Sequence, residues 1–436
     1  MNEMRKADSQ DEGEVRRNEA IDMYLQGLKV SDICRAVGRS RGWFYQTLKR
    51  YQQGGRTGLK SKSRAPKVVH NRTKKDMEAT IVRIRETITT GQDPELRYAN
   101  IGADSIAAEL KRLKLQPPHR ATINRILKRY DLVRPRPRKN KGSKLPADYP
   151  WPKADEPNTV HQVDFVSRRL GGSGDRFYGC HLLDPVRHWP YLQIITTKSA
   201  KAVAQFLVSA WQQVGLPTAL QIDNDIVWNG GGRGQRVLST IVRLALAVGV
   251  EVIFIPPYTP KANGSIESFN DLWDTNFWGR VQFEDVAHVQ RELPLFETYC
   301  RHRRPLPDFD GQTADQIMPG FKPRLLSPDF ALHQQKRIAI RTGFVHFIRF
   351  VSSNGTFSIL NETWSLDKER WAGSTIRATI DTQAQQLNIY HHPVKSDACL
   401  LIAHFDYPLA EKVVSLEPTY ITTNPAIWPS VNLFHC

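Results

Sequence analysis

The chain has 436 residues, 40% of them hydrophobic, which is enough for two to four folded units with real cores. No apolar run is long enough to span a bilayer and the polar N-terminal stretch has no apolar segment of the signal-peptide kind, so neither a membrane span nor an export signal is expected. The net charge of +17 sits in the first third: residues 1–150 hold 34 Lys and Arg against 17 Asp and Glu, whereas residues 151–436 hold 27 of each. A basic segment joined to a neutral body points to a polyanionic partner, because phosphates supply sequence-independent affinity. Cys34, Cys180, Cys300, Cys399 and Cys436 form no C-x-x-C pair and show no zinc spacing, so free thiols in a reducing cytoplasm are expected.

Residues 1–55 read as a helix-turn-helix. Ile21, Leu25 and Leu28 stripe a first helix. Ser31 is placed to cap a second, SDICRAVG, and Gly38 to stop it. Ser40 can cap a third, with Phe44 and Leu48 facing inward and Arg41, Gln46, Lys49 and Arg50 facing out, the design of a recognition helix. Residues 56–72 are a basic linker suited to lying along a phosphate backbone. Residues 73–133 repeat the helical pattern, with Met77, Ile81, Ile84 and Ile88, then Ile106, Leu110 and Leu113, then Ile123, Ile126 and Leu127. A second helix-turn-helix-like unit is expected there, offering Arg120, Asn124, Arg125 and Lys128 to DNA. Residues 134–150 form another basic linker, kept extended by proline, whose Arg134, Arg136 and Arg138 suit a minor groove or a row of phosphates.

From 151 to 325 strands and helices alternate. TVHQVDFVS, RFYGCHLLDP and HWPYLQIIT read as strands, SAKAVAQFLVSAWQQVG as a helix and TALQIDND as a buried strand. RVLSTIVRLALAVG is the next helix, EVIFIPP the next strand and SIESFNDLWDTNF the last helix. Three antiparallel strands followed by α/β alternation is the ribonuclease H-like arrangement. Residues 326–394 return to short strands around a Ser353-Asn354-Gly355 turn, which suggests a small β-barrel filled by Trp364 and Trp371; residues 395–436 form a tail without clear pattern.

Three acids stand at element ends in the α/β region. Asp164 lies on the first strand, Asp223 ends the strand LQI, and Glu267 opens the helix after IPPYTPKANGSI. The two strands are neighbours in such a sheet, so both aspartates can share one edge, with Glu267 brought over it. Three carboxylates suit a hard octahedral cation, Mg²⁺ or Mn²⁺, and two such ions serve an in-line phosphoryl displacement. WNGGGRGQR is a glycine-rich loop with two arginines, not a phosphate-binding P-loop, because no Gly-Lys-Ser/Thr follows.

HQVDF, QIDND, PPYTPKANGSIESFN and YCRHRRPLPDFDGQTADQI together resemble the integrase core of DDE transposases, over about residues 155–320. The flanking helix-turn-helix units and barrel resemble, more loosely, insertion-sequence and Mu-like transposases. The resemblance implies that Asp164, Asp223 and Glu267 ligate two metal ions. It implies cleavage freeing a 3′-OH and strand transfer into target DNA, by a homo-oligomer acting on double-stranded DNA in the cytoplasm; need for an accessory ATPase stays open. Lys261 and Asn263 become candidate DNA contacts. Asp225 stands where the family has glycine, and 43 residues separate Asp223 from Glu267, more than in many relatives. His161 is either near the metals or packed, Trp228 either stacks on a base or is buried, and Arg301, His302, Arg303 and Arg304 either bind phosphate or form a solvated face. Two other readings remain: a DNA-binding regulator with an impaired core, and a ribonuclease H-type nuclease that hydrolyses without joining.

Overall fold

The computed structural model describes residues 12–62, 72–133, 144–230, 234, 236–330, 337–394, 398–416 and 433–434. Arg134, Arg136, Arg138, Cys436 and most of the glycine-rich 231–235 segment lie outside these. Two units are resolved, residues 1–73 and 74–436.

The first unit is built from α1 (Glu12–Leu25), α2 (Val30–Val37) and α3 (Arg41–Gly54). Ala20, Ile33, Val37 and Phe44 close its core, and Ile21 of α1 is buried as well. Gly38 ends α2 at φ 63°, a left-handed angle that costs glycine nothing, and its N–H returns to the Cys34 carbonyl. Ser40 then caps α3 by accepting from the Trp43 amide. Two expectations fail here. Ser31 is not a cap, since α2 starts at Val30 with Lys29 before it. Leu25 and Leu28 are exposed, because they stand at and beyond the end of α1, past the Ala20 turn that packs with Ile33 and Phe44.

The second unit begins with α4 (Lys75–Thr90), α5 (Ala103–Arg112) and α6 (Arg120–Arg129). Next come β1 (Val160–Arg169), β2 (Arg176–Asp184), β3 (Trp189–Ile195), α7 (Ala200–Gln213), β4 (Ala219–Ile222), the single turn α8 (Ile226–Asn229), α9 (Thr240–Ala247) and β5 (Glu251–Phe254). Helices α10 (Gly264–Trp273), prolonged by a wider turn over Asp274–Trp278, and α11 (Val286–His302) follow. The C-terminal strands are β6 (Ile340–Arg341), β7 (Phe344–Phe350), β8 (Thr356–Ile359), β9 (Glu362–Ser365), β10 (Thr375–Asp381), β11 (Gln386–His391), β12 (Leu400–Asp406) and β13 (Val413–Val414).

Nine strands form one sheet in the order β12-β11-β10-β7-β5-β4-β1-β2-β3. Its β3-β2-β1-β4-β5 half has β1, β2 and β3 antiparallel and β4 and β5 parallel to β1, the ribonuclease H-like order. Alternation along the strands sends side chains to opposite layers. Val163, Leu220, Ile222, Val252 and Phe254 pack under α7 and α9 through Phe206, Trp211 and Leu244. Val166, Leu183, Leu192 and Ile194 pack on the other face under Phe269, Trp273 and Phe296 of α10 and α11.

Helices α4–α6, expected as a free-standing unit, share that second core: Ile81, Ile106, Ile123 and Tyr98 lie in one cluster with Phe269 and Phe296. The Tyr98 hydroxyl and Arg97 both donate to Glu292 of α11, and Asn276 donates to the Tyr98 carbonyl. A short helical trio buries little area by itself and gains by covering an apolar helix layer.

The C-terminal strands are present, but not as a separate barrel. β7 pairs parallel with β5 (Val252↔Val345, Phe254↔Phe347), and β10, β11 and β12 continue the same sheet, while β8–β9 and β6–β13 form two small pairs. The physical reason is β5: a buried parallel strand left as an edge would strand a row of N–H and C=O groups, and β7 satisfies them. Phe254 and Phe347 stack across the junction at 4.8 Å. Ser353-Asn354-Gly355 does turn the chain, with Gly355 at φ 77° where a Cβ would lie 2.6 Å from the Leu366 carbonyl. Trp364 and Trp371 are half-buried; Trp364 packs on Phe405. Cys399 is disulfide-bonded, against the expectation of free thiols, whereas Cys34, Cys180 and Cys300 are free.

Candidate active site

β1 and β4 run parallel with Val160 beside Ala219 and Gln162 beside Gln221. Asp164 lies two residues further along β1 and Asp223 directly after the end of β4, and Asp164 feels the charges of both Glu267 and Asp223. Strand alternation puts Gln162 and Asp164 on one face of β1, and Gln221 of β4 on the same face. That face carries α10, with Glu267 in its first turn.

Two buried glutamines seat that helix. Gln162 Oε1 accepts from the Ile266 amide at 3.0 Å. Gln221 Nε2 donates to the Ala262 carbonyl at 2.8 Å and to Asn263 Oδ1 at 3.2 Å. Each glutamine sits two residues before an aspartate, so this signal is visible as a spacing once strands are assigned.

Each acid is held differently. Asp164 accepts from its neighbour's amide at Phe165 and, through Oδ2, from Asn270 Nδ2 of α10 at 2.8 Å. Asp223 Oδ1 accepts from the Asp225 amide at 3.0 Å. Burial, with the charges of Glu267 and Asp223, pushes Asp164 up to about 6. Burial also raises Asp223, against the lowering hydrogen bond from the Asp225 amide, and raises Glu267, to which the charges of Asp271 and Asp223 add. The carboxylates thus repel one another in partly desolvated surroundings. As the side chains lie, no three His, Cys, Asp or Glu among the described residues converge as a metal cage.

Burial, with that repulsion added, predicts a pH-dependent stability difference. Asp164 has a folded pKa above its unfolded value, so in chelator it costs stability as pH rises from about 4 to about 6, by roughly 3 kcal/mol, and the full cost persists above. Asp164→Asn is therefore expected to be more stable than the parent at pH 7.5 and equal to it near pH 4. Urea unfolding at both values measures this, and a pH-independent difference refutes it.

Asp225, in the glycine's place, has φ −58°, an angle open to any residue, so the position needs no glycine. Its carboxylate caps α8 by accepting from Val227 and holds Lys198 Nζ at 2.6 Å, while Lys198 lies 4.4 Å over the Phe165 ring. Asp225→Ala is expected to lose about 1 kcal/mol of unfolding free energy through the lost cap, measured by denaturant titration; an unchanged midpoint would deny the cap any weight.

The other candidates divide. Arg41, Gln46 and Lys49 are exposed on α3, but the Arg50 guanidinium is occupied by the Gly58 and Lys60 carbonyls, which secures the turn after α3. Asn124, Arg125 and Lys128 are exposed on α6; Arg120 is exposed and paired with Asp104 at 3.3 Å. Lys261 is exposed beside α10. Asn263 is not a surface contact: it is 3% exposed and bonded to Gln221, because the turn it occupies is pinned to the sheet. His161 is packed, bonded to Asn158 and held by burial down at about 3. Trp228 is fully buried, stacked on Phe165 at 4.8 Å. In the basic cluster Arg301 donates to the Pro190 carbonyl and Glu297, Arg303 pairs with Glu95, and His302 with Asp315, so these three hold α11 in place. Lys198, Asn270, Gln162 and Gln221 went unforeseen. A cleft of about 1380 Å³ opens beside the Asp223 turn, with Lys198, Lys201 and Arg349 in its lining. Arg349, from β7, donates to Asn224 Oδ1 at 2.8 Å and to the Ile255 carbonyl, bracing that turn.

Residues 11–60 match the homeodomain-like domain family. Among solved structures, the catalytic core of BIV integrase is 19% identical, covering 37% of this chain and 93% of its own, with a TM-score of 0.27. A simian T-cell lymphotropic virus intasome chain, solved with a PP2A regulatory subunit, is 14% identical, covering 69% and 99%, at 0.34. The HTLV-2 integrase catalytic core with magnesium, dimeric form, is 11% identical, covering 38% and 99%, at 0.29. No helix among the described residues is long and apolar enough to cross a membrane. The first unit is a homeodomain-like helix-turn-helix domain, and the second is built on a ribonuclease H-like sheet.

Proposed function

We propose that this chain is a DDE-type transposase or integrase. It binds element-end DNA, frees a 3′-OH and joins it to target DNA. The observation that carries this reading is the closeness of three acids: Asp164 on β1 feels the charges of Asp223, just past β4, and of Glu267 in the first turn of α10. Asp164, Asp223 and Glu267 would hold Mg²⁺ or Mn²⁺, two ions in all: the donors are hard oxygens, and their mutual repulsion is what a divalent cation relieves. When bound, such ions activate the attacking oxygen and neutralise the leaving one. The protein's own part is positional. Asn270 orients the Asp164 carboxylate, the Asp225 amide orients that of Asp223, and the glutamine pair sets the height of α10. Lys198 and Lys201 at the cleft suit a phosphodiester backbone. Sequence recognition falls to Arg41, Gln46 and Lys49 of α3, whose exposed basic face suits a major groove. Joining two ends in concert calls for at least two copies of the chain.

The test uses purified protein, labelled element ends and a supercoiled plasmid, in Mg²⁺ or Mn²⁺ and in chelator. Joined products that require metal support the reading. Binding of authentic ends without cleavage in metal points to a regulator, and nicking without joining points to a ribonuclease H-type nuclease.

A further inference from the structure

His181 is fully buried on β2, paired in register with Asp164 on β1. Its Nδ1 lies 2.7 Å from Asn270 Oδ1, and Asn270 Nδ2 lies 2.8 Å from Asp164 Oδ2. These two bonds fix the roles. An amide that donates its NH₂ to a carboxylate presents its oxygen at the other end, and that oxygen needs a donor, so His181 carries its proton on Nδ1. Among the described residues the Nε2 atom has no hydrogen-bond partner, as expected of a bare ring nitrogen. The ring lies over Gly179, two residues earlier on the same face, where a Cβ would stand 2.9 Å from Nε2. Phe269 and Trp273 of α10 flank the ring at 5.8 Å and 5.1 Å. The pocket thus leaves the ring little freedom, and the ring leaves Asn270 one amide orientation.

We infer that His181 is a positioning residue for the carboxylate cluster, acting through Asn270 to hold Asp164 Oδ2 in the orientation a divalent cation requires; this rests on the reading of Asp164 as a metal ligand. With the donor absent, the Asn270 amide is free to turn its oxygen toward Asp164, where two acceptors would repel and the carboxylate would swing away. Residues that orient metal ligands from behind commonly change metal affinity by about 10–100-fold when replaced.

Two substitutions separate this role from packing. His181→Phe keeps an aromatic ring between Phe269 and Trp273 but has no donor. His181→Asn leaves a void but keeps an N–H where Nδ1 stood. Mn²⁺ affinity of the full chain, measured by electron paramagnetic resonance without DNA, is expected to fall about tenfold in H181F and to stay within about threefold of the parent in H181N. Thermal melting is expected to be lower in H181N, the reverse order. Combining H181F with Asn270→Ala should weaken Mn²⁺ no further than Asn270→Ala alone. Should H181F not fold, Gly179→Ala, which displaces the ring without removing it, is expected to weaken Mn²⁺ as well. Affinities that follow stability, with H181N the weaker binder, would overturn the inference while leaving the metal reading intact. A parent protein whose Mn²⁺ binding does not depend on Asp164 would overturn the metal reading, and the inference with it.

Discussion

Asp164→Asn, Asp223→Asn and Glu267→Gln are each expected to lower metal-dependent DNA joining by at least about 10³-fold, which is about 4 kcal/mol of barrier. Binding of element-end DNA should be unchanged, because the recognition surface on α3 holds none of the three. The changes are small in volume and keep the bonds around the site possible, since an amide can still accept from Asn270 or the Asp225 amide. What they remove is charge, and charge is what makes the site both costly to fold and able to hold a cation. The same D164N protein should therefore be inactive and, in chelator at neutral pH, more stable than its parent. Gel retardation, strand-transfer products and urea unfolding on one preparation test all three statements. A D164N protein that joins DNA at parental rates would remove Asp164 from the chemistry. One that loses joining along with stability would show a folding defect rather than a lost ligand.

The sequence makes the two aspartates legible for a local reason. Asp164 lies on β1 and Asp223 directly follows β4, in the apolar-patterned stretches HQVDF and LQIDND, which mark where each strand runs. Glu267 is legible because Pro-Pro, then Asn-Gly, marks a turn into a helix. The residues that hold these acids in place are harder to see. Asn270 and His181 are 89 residues apart and meet only because α10 crosses β2. A lone buried histidine has many structural explanations, and none of its partners is near in the chain. The Arg301–Arg304 stretch misleads in the opposite way: it looks like a phosphate site, yet Arg301 meets Glu297 and Arg303 meets Glu95, whose positions depend on tertiary packing. Asn263 misleads through its motif, since the turn that carries it also faces the sheet.

A larger question is what is separable. Short alternating strands after residue 337 have the texture of a small barrel, because alternation reports one buried face and says nothing of which strand lies alongside. That choice is made by β5. Helices α4–α6 carry good amphipathic stripes, and such stripes do not say whether the helices cover one another or a neighbouring layer.

Replacing Phe347 by Ala is expected to decide whether the C-terminal strands belong to the core. Phe347 is 1% exposed, stacks flat on Phe254 of β5, and has Arg349 at 5.2 Å from its ring. Loss of a fully buried phenylalanine costs about 3–5 kcal/mol. In one continuous sheet that cost falls on β5 and β4 as well as on β7. Arg349 would also lose its backing, and with it the brace on Asn224 beside Asp223. Calorimetry of F347A should then show the main transition of the second unit displaced downward as a whole, together with reduced joining activity. A separable barrel would behave otherwise: a small transition would move to lower temperature, the large one would stay, and joining would persist. The physical difference lies in the β5–β7 ladder, since hydrogen bonds between Val252–Phe254 and Val345–Phe347 tie the stability of the catalytic edge to strands that follow it by about a hundred residues.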